Sequence, residues 1–155
     1  MSTATPITAP VFDPVNVTQE LIRCPSVTPD REGGLDVVQR HLEQLGFTCH
    51  RMTYHNEPGS YEVDNLYARF GTKSPNLAFA GHTDVVPEGN RERWGDIDPY
   101  KGEIRDGILW GRGAVDMKAG IGCFIAAVSS WLAKNKETFN GSFSFIITGD
   151  EEHEA

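Results

Sequence analysis

Apolar residues along this chain follow helical and strand-like rhythms in alternation. Val17, Leu21 and Ile22 share one face of a helix that Asp13 opens as N-cap and Pro14 starts as its first residue, and that ends by Cys24-Pro25. Leu35, Val38, Leu42 and Leu45 repeat the pattern over residues 34–45, with Gly46 as C-cap. Ile121, Phe124, Ile125, Val128 and Leu132 do so again over residues 118–134. Residues 47–54, 65–70 and 76–80 read as short strands, and 143–148 is a continuous apolar run, the mark of a buried central strand. Residues 90–109, with Trp94, Pro99 and several glycines, read as a long loop holding a short strand pair. Residues 1–11, rich in Thr, Ala and Pro, read as a flexible N-terminus. Helices alternating with strands predict an α/β fold.

Composition narrows the partners. A chain of 155 residues has the length of one domain and can bury about two thirds of the surface its unfolded form exposes. The net charge of −8 argues against nucleic acid or an anionic membrane surface. Cys24, Cys49 and Cys123 are an odd set with no CxxC spacing, and read as neutral thiols in a reducing compartment. The apolar runs look too short to span a bilayer, and residues 1–10 lack the basic and apolar regions of a signal peptide. The expected location is the cytoplasm.

The polar residues that interrupt the pattern carry the chemistry. His82 and Asp84 follow the apolar strand and Gly81, and in open α/β sheets functional groups collect beyond the carboxyl ends of strands. In an extended His-x-Asp the two side chains share one side. Asp84 can therefore orient the imidazole, as a metal-bound histidine requires, or bind metal itself; a structural histidine is the simpler reading of the pair alone. Asp116 stands between Gly111, Gly113 and the third helix, either as a ligand or as that helix's N-cap. Glu151 and Glu152 follow the last strand, and adjacent extended residues point to opposite sides, so one can bind metal while the other faces water as a base. By itself, the run from Asp150 to Glu154 is a solvated acidic turn, into which Asp150 and His153 can also be drawn as ligands. Every one of these groups sits at a strand end or a glycine turn, and that shared placement favours one site.

These residues are joined by Asn65-Leu66-Tyr67-Ala68-Arg69, the run from Pro75 to Pro87, Trp94, Asp98-Pro99-Tyr100, Asp106-Gly107 and the run from Gly111 to Lys118. The ordered set resembles the zinc-dependent aminoacylase/carboxypeptidase superfamily of metallohydrolases, and within it the succinyl-diaminopimelate desuccinylase family. The resemblance implies a three-layer, zinc-exopeptidase-like catalytic domain with a mixed central sheet flanked by helices. It implies two zinc ions per complete subunit, replaceable by cobalt, and hydrolysis of N-succinyl-LL-2,6-diaminopimelate in lysine and cell-wall biosynthesis. In that scheme His82 is a ligand of one zinc, Asp116 bridges both, and Glu152 is a ligand of the other. Asp84 orients His82, and Glu151 is the general acid/base. A cis peptide between Asp116 and Met117 is implied as well.

The family's remaining ligands and its lid or dimerisation domain lie downstream of the double glutamate. Residues 12–155 are thus expected to be the N-terminal part of the catalytic domain, inactive alone, and the complete protein a homodimer acting on a small N-succinyl amino acid. An acetylornithine deacetylase or another peptidase or aminoacylase of the superfamily is one alternative; an inert metal-binding fragment is another. Arg69, Arg112 and Lys118 qualify as binders of substrate carboxylates only by charge.

Overall fold

A computed structural model describes residues 10–29, 33–55 and 61–153. Residues 1–9 of the flexible stretch read at residues 1–11, and Glu154 of the acidic run, lie outside the described residues. Asp13 caps α1 (Pro14–Ile22), its carboxylate accepting the Asn16 N–H at 2.9 Å. Gly46 ends α2 (Gly34–Leu45) in the left-handed region, φ 90°, where a side chain would be strained. Three strands follow: β1 (Thr48–His55), β2 (Glu62–Phe70) and β3 (Asn76–His82). The long loop contains a 3₁₀ turn, Arg91–Trp94, and the hairpin β4 (Glu103–Arg105) and β5 (Ile108–Trp110). Then come α3 (Ala119–Asn135) and β6 (Ser142–Thr148).

The main sheet has the order β1-β2-β6-β3. The β1/β2 and β2/β6 pairs are antiparallel, and β3/β6 is parallel. The apolar run 143–148 is therefore an inner strand, as its composition predicts. Alternation along the strands sends Leu66, Ala68, Phe143, Phe145 and Ile147 to one face. There they are buried against Val17 and Leu21 of α1, Leu35, Val38, Leu42 and Leu45 of α2, and Ile121, Ile125, Val128 and Leu132 of α3. The fold is α/β with a mixed sheet, and among the described residues its helices form one layer. The opposite face, with Tyr67, Ala80, Ser144 and Ile146, carries no helix from the described residues, and Ile146 is half-exposed.

Taken with the turn before α3, residues Ala114–Thr138 are long and apolar enough to cross a membrane by length and composition, more than the apolar runs suggest. The α3 residues Ile121, Ile125 and Leu132 are fully buried in the protein core, which is how a core helix behaves. The parallel β3/β6 pair decides where the polar residues gather. It brings the carboxyl ends of both strands to one edge, with His82 opposite Thr148.

Candidate metal centre

His82, the last residue of β3, is buried. Its Nδ1 lies 3.0 Å from the main-chain carbonyl of Asp84 and 3.4 Å from that residue's Oδ1. A carbonyl only accepts, so Nδ1–H is the donor and the ring orientation is set. The other nitrogen, Nε2, then faces Asp116 Oδ1 at 3.1 Å and Glu151 Oε2 at 3.8 Å. Asp84 is almost fully buried, and its Oδ2 accepts the Glu152 N–H at 2.8 Å. One carboxylate thus braces the ends of both parallel strands.

Asp116 arrives on the turn Ala114–Lys118, where Asp116 (φ −118°, ψ 99°) and Met117 (φ −129°, ψ 32°) depart from helical torsions. The Asp116–Met117 peptide is cis. This corrects the N-cap reading of Asp116: α3 begins at Ala119, after a Lys118 that makes no side-chain cap, and the Asp116 carboxylate points to His82 instead. Gly113 enters the turn at φ 75°, and a Cβ there would collide with Val85 Cγ1, so only glycine suits the position.

Lys118 is fully buried. Its Nζ donates to the Cys24 carbonyl at 2.7 Å and to Ser26 Oγ at 3.0 Å, and Ser26 Oγ donates to the Thr83 carbonyl at 2.7 Å. The ammonium therefore ties the Asp116 turn to the end of β3 and is out of reach of a substrate. Arg69 donates to Gly71 O and Ser142 Oγ. Arg112 donates to Glu88 O and stacks 5.9 Å above Trp94. Both serve the fold by these contacts.

One ligand atom each from His82, Glu151 and Glu152 lie within 4.8 Å of one another. Donors bound to one zinc at about 2 Å stand roughly 3–4 Å apart, so this cluster is near the spacing an ion needs. All five candidates, His82, Asp84, Asp116, Glu151 and Glu152, meet in one place. The geometry sets both glutamates near the imidazole and by itself does not divide ligand from base between them.

The electrostatics suit a cation. Burial and then the Asp116 carboxylate push Glu152 above the usual carboxylate range. Burial would raise Asp84 too, but its contacts with His82 and the main-chain N–H groups of Glu152 and Glu151 outweigh that and hold it low. His82 is pushed up from 6.5 to about 9, first by the Asp84 carboxylate and, among smaller causes, by Asp116. In metal-free protein the imidazolium supplies the positive charge that these carboxylates favour. A raised pKa stabilises the fold fully below the unfolded value, and the benefit fades as the pH climbs through the folded value. Metal-free protein is therefore expected to lose stability between pH 6.5 and about 9. Denaturant titrations across that range check it, and His82→Gln should flatten the profile.

Known proteins place the chain in a family. Residues 78–155 match the profile of peptidase family M20/M25/M40. The chain belongs to peptidase family M20/M25/M40. Similar curated members include the succinyl-diaminopimelate desuccinylase of Rhodospirillum centenum, 59% identical over 90% of this chain and 36% of that protein. Another is the succinyl-diaminopimelate desuccinylase of Bradyrhizobium sp. (strain ORS 278), 52% identical over the same shares. The chain thus spans 36% of the length of these M20 relatives. Among solved structures, human carnosine dipeptidase 1 superposes with a TM-score of 0.72 at 24% identity, over 92% of this chain and 32% of that one. An M20 family metallo-carboxypeptidase from Sulfolobus solfataricus gives 0.71 at 22%, over the same shares. At that identity the two structures establish a shared fold.

Proposed function

We propose that this chain is the N-terminal part of the catalytic domain of a succinyl-diaminopimelate desuccinylase, a metal-dependent amide hydrolase. The observation that carries the reading is the meeting of one oriented imidazole with Asp116, Glu151 and Glu152 at the carboxyl ends of two parallel strands. The identity of 59% to a curated desuccinylase supports the choice of substrate.

Two zinc ions, with cobalt as a substitute, suit the donor set. His82 would hold one and Glu152 the other, with Asp116 shared between them. Bound there, zinc would lower the pKa of water towards about 7 and polarise the amide carbonyl. Asp84 keeps the imidazole in one tautomer and orientation. Glu151, whose side chain is mostly exposed, accepts a proton from the attacking water. The oxygen joins the succinyl carbonyl carbon, the C–N bond breaks, and Glu151 returns the proton to the leaving amine. Succinate and LL-2,6-diaminopimelate result. The complete enzyme is a cytoplasmic homodimer in this reading, its lid or dimerisation domain and further ligands lying outside residues 12–155.

Steady-state rates of the full-length protein on N-succinyl-LL-diaminopimelate and N-acetylornithine test the proposal. A clear preference for the succinyl compound supports it. Equal rates, or a preference for the acetyl compound, move the protein to the deacetylases of the same superfamily.

A further inference from the structure

The turn that carries Glu151 and Glu152 is gripped from a second side, away from His82. Asp150 precedes it, and both of its carboxylate oxygens are taken. Thr28 Oγ1 donates to Oδ1 at 2.6 Å, and Tyr61 Oη donates to Oδ2 at 3.0 Å. His153 follows the turn, and its Nδ1 is 2.8 Å from the same Tyr61 oxygen. The phenol has one proton, and the carboxylate can only accept, so His153 Nδ1–H is the donor to Tyr61. The two rings also meet edge to face, with centroids 4.9 Å apart. Tyr61 therefore touches the residue on each side of the glutamate pair.

Both holders are anchored by neighbouring main-chain pairing. Tyr61 stands one residue before β2, which is hydrogen-bonded along β6. The Thr28 N–H donates to the Val85 carbonyl at 3.1 Å, beside a bridge between Val27 and Val85. Glu151 and its neighbours leave regular structure after Thr148, where the Asp150 N–H donates to Thr148 Oγ1 at 3.3 Å. Gly149 seats it closely, its N–H donating to Asp64 O at 3.0 Å and a Cβ there meeting the same oxygen at 2.9 Å.

We propose that Tyr61 is a positioning residue, a staple that holds Asp150 and His153 and so fixes the Glu151–Glu152 turn against His82, with Thr28 as the second grip on Asp150. The inference rests on the reading of Glu151 and Glu152 as members of the metal centre. Groups hydrogen-bonded behind metal ligands typically govern about 10–100-fold in metal affinity.

The test uses the full-length protein, with Tyr61→Phe, Tyr61→Phe/Thr28→Val and Glu152→Gln compared against wild type. Zinc affinity is measured by chelator competition, and amide hydrogen exchange is followed for the peptide covering 149–153. Tyr61→Phe keeps the ring, so the fold is retained, as circular dichroism will report. The double variant is expected to exchange about tenfold faster within 149–153, with the rest of the protein unchanged, and to bind zinc about tenfold more weakly. Its kcat should fall with KM unaltered. Wild-type exchange and wild-type zinc affinity in the double variant, alongside a loss in Glu152→Gln, overturn the staple and leave the metal centre standing. Unchanged zinc affinity in Glu152→Gln overturns the ligand reading instead, and faster exchange at 149–153 then still supports the staple. Exchange that rises throughout the molecule makes Tyr61 a general stability residue and overturns the proposal.

Discussion

Glu151→Gln in the full-length protein is expected to lower kcat by about 10²–10⁴-fold, the usual contribution of a placed general base. Zinc content should stay at the wild-type level. The glutamine keeps the size of the side chain and removes only its capacity to take a proton. The carboxylate reaches within 3.8 Å of His82 Nε2 while its side chain remains mostly exposed, as a group that must meet water requires. Glu152, more buried and pushed upward in pKa by burial and Asp116, has surroundings that a bound cation would relieve. Glu152→Gln should accordingly lose zinc as well as turnover. Metal analysis beside steady-state kinetics separates the two residues. Equal zinc loss in both variants would mean that Glu151 is a ligand too.

Phe145→Ala is expected to cost about 3–5 kcal/mol of stability, the range for emptying a large aromatic site in a core. Phe145 is fully buried on β6 and packs against Phe47, Phe79 and Phe124 at centroid distances of 5.6, 5.9 and 5.2 Å. Those rings come from the chain just after α2, from β3 and from α3, so one side chain joins the sheet to its helical layer. Urea denaturation of the variant against wild type measures the loss. The same strand leads directly into the Glu151–Glu152 turn, so zinc affinity should fall with stability.

Local signals read well from the sequence. The bounds of α2 follow from its apolar spacing and Gly46, and α1 from Asp13-Pro14 and its apolar face. The strand β2 begins earlier than its apolar residues suggest, because Glu62, Val63 and Asp64 pair with the exposed outer strand β1 and need no core-facing run. The five candidate residues that the structure gathers stand out in the sequence because each is a polar group just beyond an apolar strand or a glycine turn. The direction of Asp116 is not legible from the residues alone, since an aspartate before a helix also reads as a cap and the non-helical torsions at Asp116 and Met117 leave no mark in composition; the family resemblance is what implies a ligand and a cis peptide there. The supports of the site are hidden for another reason. Lys118 meets Cys24 across 94 residues and Tyr61 meets Asp150 across 89, and such pairings depend on how the sheet is ordered.

The spacing between His82 and the glutamate turn is inherited from a neighbouring pair of hydrogen-bonded strands, about 4.8 Å apart as in any sheet. Chain length between the two motifs does not enter it. The loop after Pro87 could grow or shrink, each doubling costing only about 0.6 kcal/mol in closure entropy, and His82 would still lie opposite Thr148, at the head of the glutamate turn. The M20 scaffold can thus vary the chain between the two motifs, because the ladder brings the strand ends together and the contacts of Asp84, Tyr61 and Thr28 seat the turn that follows.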